Sequence, residues 1–184
     1  MLDQINQIIN SLLLVLTQES LLLILTLTLQ ALAIGIALSI LLSFFYKDFK
    51  LSFRNMFSMK NLFVNLPIIV LMEEGLRVIC LSMFSFFLSV VFQIPFWTVT
   101  WSILVFAGII DALLHQTNIE KSTASGAIAY FFIHFVLGAI FTIYLMTYGF
   151  FFQIAIHYLY DLFAISIGYA LMKIFHKEEE YQEL

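Results

Sequence analysis

Charge is what this sequence has least of. Only 11% of its 184 residues are Asp, Glu, Lys or Arg and 62% are hydrophobic, where a soluble domain carries roughly 25% charged residues. With a mean hydropathy of +1.03, a water-soluble fold is excluded and the chain reads as an integral membrane protein. Cys80 is the single cysteine, so neither an intramolecular disulfide nor a cysteine-based zinc site is available. Alternating polarity is missing, which excludes a transmembrane barrel. There is no internal repeat, low-complexity linker or Gly/Ser-rich hinge, so one compact membrane domain is expected. The first residues also lack the basic stretch of a cleavable signal peptide and carry Asp3 and, further on, Glu19 instead.

Five apolar runs are present, each near the ~20 residues that a membrane-spanning helix needs. They cover about residues 20–45, 62–92, 96–114, 123–146 and 150–174. Pro67 is placed to kink the second. The third follows the turn Gln93-Ile94-Pro95. A chain facing lipid must satisfy its own backbone, so the expected fold is all-α, a polytopic bundle of five spans over residues 20–175. The N-terminal segment 1–19 precedes it, with residues 5–17 suited to a short interfacial helix, and an acidic tail, 176–184, follows. Lys47, Lys50, Arg54 and Lys60 share one loop; Lys121, Lys173 and Lys177 fall on the same side. Basic residues mark the cytoplasmic face, which puts the N-terminus outside and the C-terminus inside.

Away from their ends, these spans hold seven charged or histidine residues: Glu73, Glu74, Arg77, Asp111, His134, His157 and Asp161. Each charge at mid-bilayer costs on the order of 3 kcal/mol, so such groups persist only if they meet one another or line a wet cavity. Glu73 and Glu74 lie 13 and 14 residues from Lys60, Asp111 and His134 lie 10 and 13 from Lys121, and Asp161 and His157 lie 12 and 16 from Lys173. At about 1.5 Å per residue, four helices place polar groups in one layer roughly 15–24 Å from the basic face. Glu73 and Glu74 each share a helix face with Arg77, and His157 shares one with Asp161. A carboxylate so placed fixes one imidazole nitrogen and aims the other at a water, metal or substrate. Two histidines among carboxylates suit zinc chemically, although a Glu/His water site needs none. By the same count His115 is only 6 residues from Lys121, near the interface, and with the residues after it reads most simply as the start of a polar loop.

The order EEGLR (73–77), FAGIID (106–111), FFIHFVLG (131–138) and IHYLYD (156–161) resembles a family of membrane-embedded proteases. This superfamily joins the CAAX-prenyl endopeptidases and bacteriocin-processing enzymes (CPBP or Abi) with the PrsW, YhfC and gamma-secretase APH branches. The resemblance covers about residues 66–170 and is closer to the PrsW/YhfC side, since EEGLR is one residue short of the CAAX-type EExxxR. It implies proteolysis within the membrane of a prokaryotic cell, on a membrane-embedded or membrane-bound peptide, with no nucleic-acid partner. Carried onto this chain, Glu73 or Glu74 becomes the general base, and His134 and His157 position the water, hold a metal or stabilise the oxyanion. Asp161 orients His157, Arg77 keeps the second glutamate ionised, and Asp111 is a further ligand or a partner for Arg77. The CAAX-type pattern would make His115, in DALLH, the middle histidine; the depth count favours His134. The alternatives are a catalytically silent scaffold or immunity-type protein of the same fold, and a small proton-coupled carrier.

Overall fold

The computed structural model describes residues 17–45, 61–116 and 124–175. Every regular element among them is helical. We label them α1 (Gln18–Phe45), α2 (Leu66–Phe86), α3 (Phe96–Gln116), α4 (Ala124–Tyr148) and α5 (Phe150–Phe175). Short π-helical stretches, Asn61–Asn65 and Phe87–Val91, extend α2 at both ends. All five helical runs are long and apolar enough to cross a bilayer. The protein is therefore an all-α polytopic bundle and an integral membrane protein, and its helix ends fall within about two residues of the expected runs. The interfacial helix expected over 5–17, the tail 176–184, and Lys47, Lys50, Arg54, Lys60, Lys121 and Lys177 lie outside the described residues, apart from Thr17 itself.

Pro67 does not break α2. It sits in the first turn, where a missing N–H has no intrahelical partner to lose, and the π winding of Asn61–Asn65 gives way to α winding there. Between α4 and α5 the chain reverses over a single residue, Gly149, at φ +91°. That left-handed conformation favours glycine, and the Gly149 N–H closes the last turn of α4 onto the Leu145 carbonyl at 3.0 Å.

Two glycines set how closely α3 and α4 pack. A Cβ on Gly108 would lie 2.6 Å from the Phe135 carbonyl oxygen, and a Cβ on Gly138 would run into the Asp111 side chain. The backbones therefore approach until only hydrogen fits between them, the small-residue solution to packing in a solvent as apolar as the side chains. α1 packs on α5 and α4 through Ile24, Leu27, Ala31, Leu137, Phe141 and Ile156, all buried. α2 packs against α3 and α5, with a smaller cluster of Leu81, Val99, Ile103 and Ala107. Its polarity is inverted relative to a soluble helix: Met72 is 69% exposed while Glu74 is fully buried.

Candidate functional site

The inward face of α2 carries Glu74 and Arg77, one turn apart and both buried. Their spacing puts them side by side, and the Arg77 Nη1 donates to Glu74 Oε1 at 2.7 Å. The other guanidinium nitrogen, Nη2, donates to Asp111 Oδ1 on α3. Arg77 thus spans two helices with one cation between two carboxylates, and the Phe141 ring from α4 lies 5.8 Å from its guanidinium carbon, within cation–π range. From α5, Gln153 Nε2 donates to the same Glu74 Oε1 at 3.2 Å, and His157 Nδ1 approaches it at 2.6 Å. Helices α2, α3 and α5 are tied through this one network, none of whose members is more than 1% exposed.

The bonds fix the imidazole tautomers. Glu74 Oε1 already accepts from Arg77 and Gln153, so the proton on the short contact belongs to His157 Nδ1. His115 Nδ1 lies 3.0 Å from the Asp111 backbone carbonyl, which can only accept, so its proton is on Nδ1 as well. Both rings therefore turn Nε2 to the same place. His115 Nε2 is 4.0 Å and His157 Nε2 3.9 Å from Glu73 Oε2, and Asp161 Oδ2 is 3.5 Å from His157 Nε2. Glu73 and Asp161 keep 21% and 20% of their side chains accessible. One turn of α2 therefore has two unlike faces: Glu74 turned into a closed network, and Glu73 turned toward two imidazoles on an open edge.

A second group adjoins the first. His134 Nδ1 is 3.4 Å from Asp111 Oδ2, its ring stacks on His115 at 4.0 Å between centroids, and Tyr130 lies 4.3 Å away on the other side. Comparison with family models, curated proteins and solved structures finds no match to this chain.

All eight expected site residues lie in this one cluster, but three details differ from expectation. First, Asp161 reaches His157 as expected, 3.5 Å from Nε2, but the short contact that holds the ring is to Glu74, at Nδ1. Second, His115 is no loop residue. It occupies the last turn of α3, is buried and stands between the two groups. The residues that link α3 to Lys121, on which the depth count rests, lie outside the described residues. Third, His134 and His157, expected to share an ion, are kept apart. Among the described residues the donors close enough to share one are Glu73, His115 and His157, or Asp111, His115 and His134.

Gln153 and Phe141 were not anticipated. Gln153 is four residues before His157 and eight before Asp161, so it prolongs the polar stripe of α5; an uncharged amide escapes a search for ionisable groups. Phe141 carries no sequence signal, because an inward aromatic looks like any other in a chain with 21 phenylalanines.

The donor set fits a zinc-type ion. Glu73, His115 and His157 offer one oxygen and two nitrogens, all within 4.8 Å of one another, the His/His/carboxylate composition of catalytic zinc sites. Each imidazole is held from behind, by a backbone carbonyl or a carboxylate, as ligating histidines are. Such an ion would supply Lewis acidity and a more acidic bound water.

Proposed function

We propose that this chain is an intramembrane peptidase, a member of the CPBP/PrsW-type superfamily that its motif order resembles. The observation that carries the proposal is the open edge of the cluster: two imidazole Nε2 atoms of fixed tautomer facing the accessible carboxylates Glu73 and Asp161, backed by a closed ion network. A water held by the two nitrogens has a carboxylate beside it to take its proton. The hydroxide so formed attacks the scissile carbonyl carbon, and the carboxylate proton passes to the leaving amine as the C–N bond breaks. A proton resident on His157 Nε2, where Glu74 and Asp161 flank the ring, meets the oxyanion of the tetrahedral intermediate. The lipid-exposed walls of the bundle suit a membrane-embedded or membrane-bound peptide as substrate. The same reading takes the N-terminus outside and the C-terminus inside a prokaryotic cell membrane.

The test is quantitative labelling of new peptide termini in membranes expressing the wild type or Glu73→Gln. Termini that depend on the wild type and fall by about 100-fold or more in the variant support general-base chemistry at Glu73. Identical sets of termini from both proteins overturn the proposal.

A further inference from the structure

Four atoms converge on the open edge: the carboxylate oxygens Glu73 Oε2 and Asp161 Oδ2 and the Nε2 atoms of His115 and His157. The Nδ1 protons of both rings are committed to acceptors behind them, so Nε2 is the nitrogen each ring offers forward. The group draws one positive charge to its centre, a ring proton or a bound cation, and Glu73 and the two imidazoles lie close enough to share one ion. The surrounding charge adds to the demand. Four carboxyl groups, Glu73, Glu74, Asp111 and Asp161, meet in the cluster with one guanidinium, Arg77, which is bonded to Glu74 and Asp111 and not to the outer pair.

We infer that Glu73, His115 and His157 together bind one divalent transition-metal ion of the zinc class, with Asp161 at the edge of its coordination sphere. The alternative group, Asp111 with His115 and His134, is disfavoured by the same tautomer: His115 Nδ1, the nitrogen on that side, carries the proton and has no lone pair to give. Asp111 and His134 are then the support that fixes His115, as Glu74 and Gln153 fix His157. Two imidazoles and a carboxylate match zinc's preference, and thiolate plays no part, since Cys80 is not among the donors. The inference rests on the peptidase reading only for the ion's purpose. If it holds, Glu73 becomes a ligand and Asp161 the nearest carboxylate left to take a proton from bound water.

The test uses the full chain in detergent, stripped with a chelator and dialysed against zinc, with metal counted by mass spectrometry. About one zinc per chain is expected in the wild type and in His134→Ala. Almost none is expected in His115→Ala or Glu73→Gln, and Glu74→Gln, which removes support behind a ligand, should weaken binding about 10–100-fold. Circular dichroism and a monodisperse elution profile show that each variant is folded. X-ray absorption on zinc-loaded wild type needs no variant: two imidazoles with oxygen and no sulfur support the site, and one or three imidazoles overturn it. No zinc in the wild type also overturns it, as does loss in His134→Ala with retention in His115→Ala. Glu73-dependent cleavage without metal would overturn the ion and leave the peptidase standing; a bound ion with no cleavage would do the reverse.

Discussion

Glu73 and Glu74 are adjacent in sequence and about 100° apart around α2, and that rotation separates two regions of different character. Glu74 is bonded to Arg77, Gln153 and His157 and, through Arg77, linked to Asp111 in a buried network, in which Glu74 Oε2, Arg77 Nε, Asp111 Oδ2 and Gln153 Oε1 are left without a hydrogen-bond partner. Glu73 makes only long contacts, near 4 Å, to two imidazoles, and part of it remains accessible. The inner region is built for rigidity: its charges are paired where water cannot compensate. In the outer region the carboxylates reach the imidazoles only at 3.5 to 4.0 Å. A site needs both, because the open atoms keep their positions only if the closed ones cannot move.

The comparison breaks most readily at Arg77. Arg77→Met leaves Glu74 and Asp111 buried without a counter-charge, and removal of one partner from a buried ion pair costs about 3–5 kcal/mol. Reversible denaturation in mixed micelles should show that loss; a change under about 1 kcal/mol would mean that the two carboxylates are not both ionised. Gln153→Leu tests the same region more gently. It deletes one hydrogen bond to a charged group, worth about 1.5–3 kcal/mol, and the same denaturation should report it. A wild-type midpoint would place the Glu74 contact outside the folded state that matters.

Gly138→Ala touches the inner region from outside. The new Cβ meets the Asp111 side chain and lies 3.1 Å from the Ala107 carbonyl oxygen, so α3 and α4 must part, at about 1–3 kcal/mol. Gly75→Ala is its control, since no atom lies within 4 Å of that added Cβ. Equal midpoints for the two variants would show that the close approach of α3 and α4 is not tight. The smallest effect on stability belongs to the outer region. Glu73→Gln should shift the midpoint by no more than about 0.5 kcal/mol, as substitutions away from packed or paired groups do, while abolishing cleavage and metal binding. A drop as large as that of Arg77→Met would merge the two regions into one structural unit.

Much of the site was legible because the membrane makes polarity conspicuous. In a lipid-facing chain, Glu74, Arg77, Asp111 and His157 have few places to go except toward one another, and their helical spacings already paired Arg77 with Glu74. Residues escaped where that contrast fades. Gln153 carries no charge. Phe141 is one aromatic among many. His115 stands in the last described turn of its span, where a count from the nearest lysine set it apart from the other polar residues.

The sequence by itself determined the solvent, the five helices and the list of polar residues that had to be buried together, because each follows from composition and period alone. Only the tertiary structure decided how the list divides. Which carboxylate binds which nitrogen depends on the rotation of α2 and the close approach of α3 to α4. Both are set by side chains from other helices. Glu73 and Glu74 are chemically identical, and only the neighbours supplied by α3 and α5 make one a buried, bonded anchor and leave the other partly accessible beside two imidazoles.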